Sequence, residues 1–135
     1  MLVIDASISL TWCFEDEVTD ATEAIGTRVD SEGAVVPDVW RLEIANVLLL
    51  AERRGRPKRS NLEQRLKLLA DLPIAIEADT GIRAWSDTLL LARAERLTLY
   101  DAAYLELAIR LDVELATLDR ELGRAARKMG VAVPP

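Results

Sequence analysis

Leu2-Val3-Ile4-Asp5-Ala6-Ser7 begins with three consecutive apolar residues, two of them β-branched, and then switches abruptly to Asp and Ser. An apolar run too short for a helix, followed by a helix-starting residue, reads as a strand buried on both faces. Working outward, the same alternation recurs. After that strand a helix reaches to about Phe14, and another runs from about Thr19 to Asp30 with Ala21, Ala24, Ile25 and Val29 on one face. Ala34-Val35-Val36 is the next strand, and Asp38 is placed to cap a helix from Val39 to about Arg54. Ser60 opens an amphipathic helix with Leu62, Leu66, Leu69 and Ala70 inward. Ile74-Ala75-Ile76, Glu114–Thr117 and Val131-Ala132-Val133 read as further strands, and helices fill 80–95, 100–111 and 119–129. Strands separated by helices predict one three-layer α/β/α domain over residues 1–135, with a central parallel sheet of about five short strands.

Composition narrows the chemistry. The chain has 135 residues, half of them hydrophobic, enough to build a core. There is no histidine and one cysteine, Cys13, which excludes Ser-His-Asp and Cys-His mechanisms and His- or thiolate-ligated zinc. The lone cysteine and the absence of a secretory pattern predict a cytoplasmic protein. The longest apolar run, Val47–Ala51, falls far short of the roughly 20 residues needed to cross a bilayer. The six glycines form no phosphate-binding loop. Chemistry therefore falls to carboxylates, hydroxyls, Lys, Arg or a bound ion. The net charge of −6 opposes a polyanionic partner, but it is unevenly spread. From Arg53 to Lys67 there are seven basic residues against the single acid Glu63, so a local phosphate grip by Arg53, Arg54 and Arg56 stands beside the plainer reading of a solvated turn.

In open parallel sheets the site lies at the carboxyl ends of the strands. Asp5 follows the first strand and Asp119 the fourth, and taken singly each reads first as a helix N-cap. Thr98-Leu99-Tyr100-Asp101 matches a capping box. Glu43 has Val39, Val47 and Leu50 as its helical neighbours, a costly place for a carboxylate unless it is paired or bound to a cation. Asn46, one turn on, could hold it, or Arg41 could pair with it. Carboxylates gathered in one pocket remain ionised only beside a hard cation, and oxygen ligation selects Mg²⁺, Mn²⁺ or Ca²⁺. Asp38 needs no role beyond capping, and Glu77 and Asp79 read as surface and cap residues.

Val3-Ile4-Asp5-Ala6-Ser7, Glu43-Ile44-Ala45-Asn46-Val47-Leu48, Tyr100-Asp101-Ala102-Ala103-Tyr104-Leu105 and Ala116-Thr117-Leu118-Asp119, in this order and spacing, resemble PIN-domain proteins. Within that group they look like the VapC-type toxins of toxin–antitoxin pairs. The resemblance implies a PIN-like fold and a metal-dependent endoribonuclease using Mg²⁺ or Mn²⁺. It implies an acidic quartet of Asp5, Glu43, Asp101 and Asp119, of which Asp5 and Asp101 are the first choice as direct ligands. Ser7, Asn46 and Thr117 are implied as supporting residues. It further implies an RNA substrate, a small antitoxin lying across the site and a homodimer built through helices of the first half. Trp12, Phe14, Trp40 and Leu50 are either surface for such partners or ordinary core. The competing readings are a catalytically silent binding module and a PIN nuclease of RNA maturation. A phosphoaspartate phosphatase would want Asp-x-Asp after the first strand, and a receiver domain paired acids there, and neither pattern is present.

Overall fold

The computed structural model describes residues 1–55 and 59–135. β1 (Leu2–Ile4), β2 (Ala34–Pro37), β3 (Ile74–Glu77) and β4 (Leu115–Ala116) form a parallel sheet in the order β3-β2-β1-β4. The helices are α1 (Ala6–Thr11), α2 (Asp20–Glu32), α3 (Trp40–Arg53), α4 (Arg59–Asp71), α5 (Thr80–Arg83), α6 (Asp87–Glu95), α7 (Leu99–Leu111) and α8 (Arg120–Lys128). Crossovers between parallel strands are right-handed, so the helices of the β1-to-β3 progression fall on one face and those of the return to β4 on the other. The packing agrees: α3 touches α1 and α4, while α7 lies on β1 and β2 and touches α6 and α8. The result is the expected three-layer α/β/α arrangement.

β1, β2 and β4 are buried along their whole length, which is why they read as continuous apolar runs. Leu2, Val3, Ile4, Val36, Leu48, Leu105, Leu115 and Leu122 are fully enclosed. Each such side chain contributes roughly 1.5–3 kcal/mol relative to exposure.

Several expectations need correction. The described sheet has four strands. Over 131–133 the link to β4 is a bond from the Leu115 N–H to the Ala132 carbonyl at 3.0 Å, while the Val131 N–H is taken by Ala126 of α8. Pro134 and Pro135 carry no N–H to extend it. The helix expected over 80–95 is broken, since Ser86 has φ −118° and ψ −102°, outside helical geometry. Asp38 does not cap α3: the cap position is Val39, without a side-chain bond, and the Asp38 N–H donates to Thr80 Oγ1 at 2.8 Å. On α2, Ala21 and Ala24 face solvent, and Thr22 is buried with Ile25 and Val29. On α4, Leu69 is buried and Leu62 half-buried, whereas Leu66 and Ala70 are exposed, because this helix packs on α3 at the edge of the molecule. Phe14 and Trp40 belong to the core, Trp12 packs against it, and Leu50 is exposed.

Candidate active site

β1 has β2 on one side and β4 on the other, so the chain reverses its direction of progress across the sheet at the β1/β4 junction. In open parallel sheets ligands bind beyond the strand ends at such a switch point, and Asp5 stands at this one, 4% exposed. Its Oδ1 accepts from the Ile8 N–H at 3.1 Å, capping α1, and from the Ser7 hydroxyl at 2.6 Å. Its Oδ2 accepts from the Thr117 hydroxyl. Ser7 and Thr117 are themselves fixed by the chain beyond β4: the Leu118 N–H donates to Ser7 Oγ at 2.9 Å and the Asp119 N–H to Thr117 Oγ1 at 3.0 Å. Asp5 thus caps α1 while its carboxylate stays at the strand end. Ser7 and Thr117 each donate to one of its oxygens.

Glu43 projects from the first turn of α3 and Asp101 from the first turn of α7. The buried stripe of α3 is Trp40, Ile44 and Leu48, so Glu43 stands beside the core rather than on it, while Val47 and Leu50 are exposed. Its partner is neither Asn46 nor Arg41 but Tyr104, whose hydroxyl donates to Glu43 Oε1 at 2.6 Å. Asn46 is exposed and makes no bond to Glu43 among the described residues. Tyr104, one turn beyond Asp101 on α7, is the contributor that sequence reasoning missed. Its position in an apolar helix marks it as core, and only the hydroxyl betrays a second task. The Asp101 N–H donates to Thr98 Oγ1 at 3.1 Å, so Thr98 supplies the cap of α7, and its hydroxyl also pulls against the rise of the Asp101 carboxyl. Asp119 is exposed and caps α8 through a bond from the Leu122 N–H to its Oδ1 at 2.9 Å.

The acids feel one another. Burial raises the Asp5 carboxyl above its ordinary value, against the lowering pull of its hydroxyl and N–H donors, and the charge of Asp101 adds to the rise. Glu43 is raised by burial, opposed by the Tyr104 bond and reinforced by Asp101 and Asp5. Asp101 is raised by burial and by the charge of Asp119. Burial, aided by the Glu43 bond, raises the Tyr104 hydroxyl, so it remains a donor at any working pH. None of the ion pairs among the described residues reaches any of the four acids.

An oxygen-only set, crowded and without a cation, suits a hard divalent ion. Among the described residues no group of three or more Asp, Glu or Cys side chains is placed to hold a metal ion as it stands, so an ion bound here would have to draw the acids closer together. Arg53 and Arg54 are exposed at the far end of α3, about 15 Å along the helix axis from Glu43. Arg56 lies outside the described residues.

Comparison with known proteins gives a consistent picture. The family model described as PIN domain matches residues 2–128. The chain is 30% identical over 134 residues to Ribonuclease VapC3 of Pyrobaculum aerophilum, covering 99% of this chain and 98% of that protein. The crystal structure of PAE2754 from Pyrobaculum aerophilum superposes with a TM-score of 0.71 at 23% identity, covering 98% of this chain and 89% of that one, a likeness of fold.

Proposed function

This chain belongs to the PIN-domain family, and from that premise we propose that it is a divalent-metal-dependent endoribonuclease of the VapC type, the toxin of a toxin–antitoxin pair. The observation that carries the reading is the uncompensated carboxylate cluster at the β1/β4 switch point. Asp5, Glu43, Asp101 and Asp119 would hold Mg²⁺ or Mn²⁺, with Asp5 and Asp101 nearest to direct ligation. A divalent ion bound there supplies Lewis acidity, acidifying water and neutralising charge that grows on the phosphoryl oxygens.

The chain's own residues do the rest. Ser7 and Thr117 each donate to a different oxygen of Asp5, fixing the carboxylate plane before anything binds. Tyr104 fixes one oxygen of Glu43. Burial and mutual repulsion give Glu43 and Asp101 an elevated proton affinity. Arg53, Arg54 and Arg56 would offer RNA a second contact away from the acids.

The remaining features extend the same reading. Residues 1–135 act as one domain in the cytoplasm, and among the described residues no helix is long and apolar enough to cross a membrane. A small antitoxin would lie across the open cluster, and a second copy would complete a homodimer. Exposed Leu42, Ile82 and Trp85 supply apolar surface for such contacts.

The decisive experiment is cleavage of a labelled structured-RNA pool with Mg²⁺ or Mn²⁺ and with chelator, beside Asp5→Asn. Asn retains the N-cap, so the fold should persist while cleavage falls by about 10³-fold. Cleavage by the variant at the parent rate overturns the assignment.

A further inference from the structure

α8 carries Arg120, Arg124, Arg127 and Lys128, and the fold sorts them into two sets. Arg124 and Lys128, one turn apart, reach buried Glu95 of α6 at 3.7 and 3.3 Å. Arg120 and Arg127, two turns apart, share a different face, with Gly123 between them. Both are exposed, and neither takes part in an ion pair or side-chain hydrogen bond among the described residues.

Gly123 is the informative residue. It is buried in the middle of a nine-residue helix, where glycine costs about 1 kcal/mol relative to alanine. A Cβ there would stand 3.4 Å from Nη1 of Arg127 and 3.8 Å from Cγ2 of Thr117. The Arg127 side chain therefore runs back towards the start of α8, the direction helical side chains take. Its guanidinium lies over the glycine, beside the residue that donates to Asp5. A guanidinium without an acid partner is thus held at the rim of an acid cluster without a cation partner, and the two do not join. Asp119, on the same face one turn before Gly123, uses an oxygen to cap α8 and forms no ion pair with Arg127.

We propose that Arg127, lying over Gly123 and seconded by Arg120, binds a backbone phosphate of the RNA next to the scissile bond, so that α8 is the track along which the substrate lies. The inference rests on the ribonuclease reading and extends it by naming the contact that brings a polyanion to an acidic site. A planar fork of donors matches phosphate oxygens. The two arginines are set about 10 Å apart along the helix axis, with the site at its N-terminal end. A cation at the rim offsets the repulsion that the carboxylates exert on an approaching phosphodiester.

The test is steady-state cleavage with Mn²⁺, together with binding of a single-stranded RNA oligomer in chelator at several salt concentrations. Arg127→Ala should raise KM about fivefold with kcat within about twofold, and reduce the salt slope of binding by about 0.7. Gly123→Ala should raise Tm and leave KM near the parent's, because a methyl group there meets the flexible guanidinium at about ordinary contact distance. A purely structural role for this face cannot give the KM-against-kcat split of Arg127→Ala. Arg93→Ala, an exposed arginine on α6, should match the parent. An active parent with Arg127→Ala at the parent's KM and salt slope overturns the inference and leaves the ribonuclease reading standing. A parent that cuts no RNA overturns both.

Discussion

Two groups of carboxylates lie at the carboxyl end of the same sheet, and α7 contributes to both. At the β3 edge, Glu77 and Glu106 are interleaved with Arg83 and Arg110: Arg110 bonds Glu77 and Glu106 at 2.9 Å each, and Arg83 Nε lies 3.3 Å from Glu106. At the β1/β4 junction, Asp5, Glu43, Asp101 and Asp119 meet hydroxyls and N–H groups but no described cation. The electrostatic consequences are opposite. Burial, the largest single influence on Glu77, pushes its carboxyl up. The bonds from Arg110 and the Asp79 N–H together outweigh it and hold Glu77 below the ordinary value. Asp5, Glu43 and Asp101 all end above theirs. Glu95 and Glu114 likewise have basic partners. The fold supplies cations to Glu77, Glu95 and Glu106, and among the described residues no ion pair reaches the acids of the switch point. A cluster left in that state is one that the proposed divalent ion would complete.

The contrast is broken most forcefully at Arg110. In Arg110→Ala, Glu77 loses its guanidinium and Glu106 keeps only Arg83. Removing one partner of a buried pair costs about 3–5 kcal/mol, discounted here to about 2–3 because Arg110 retains 21% side-chain exposure. Tm should fall by roughly 6–12 °C, with metal-dependent cleavage of the surviving fold at the parent rate. Cleavage that falls with stability unchanged would show that the two clusters are not separate.

A finer cut is Tyr104→Phe. It removes the donor to Glu43 without emptying the core volume that the ring occupies. Partners that orient metal-binding groups matter by about 10–100-fold, so Mn²⁺ affinity measured by calorimetry should weaken by roughly tenfold. Unaltered affinity would mean that Glu43 orients itself, and that the hydroxyl serves only its own burial.

The legibility of the molecule follows the same division. β1 and β2 were readable because burial on both faces leaves an unbroken apolar run, whereas Asp5, Asp101 and Asp119 each read singly as caps, and the proposed quartet came from the family resemblance of the whole pattern. The geometry around them was not readable. Asp38 has the residue type of a cap, but the turn leaving β2 carries the cap position to Val39, and residue type does not encode that turn. Val131 and Val133 have strand propensity, but a ladder needs N–H groups in register, and here one goes to α8. Tyr104 fits the apolar pattern of α7 so well that its hydroxyl carried no signal. The acid it serves is 61 residues away in the chain.

The smallest effect concerns the metal-free protein and pH. Asp5, Glu43 and Asp101 bind protons more tightly folded than unfolded. Between the ordinary carboxyl values of 3.8 and 4.5 and the raised native ones, the folded state therefore holds more protons than the unfolded state. Stability from these groups is full below the ordinary values and is lost as pH rises through the raised ones. Glu77 works in the opposite sense, contributing above its ordinary value and losing that contribution as pH falls. In chelator, Asp101→Asn removes one repelling charge from a half-exposed position and should stabilise by about 0.5–1 kcal/mol near neutrality, raising Tm by a few degrees. The gain should shrink as pH falls into the carboxyl range, because the parent is then relieved by protonation. Added Mn²⁺ should reverse the order, stabilising the parent more than the variant, since an ion that binds the folded state adds to its stability. A Tm for Asp101→Asn equal to or below the parent's at neutral pH in chelator would show that the acids do not oppose one another, and the contrast between the two clusters would fall.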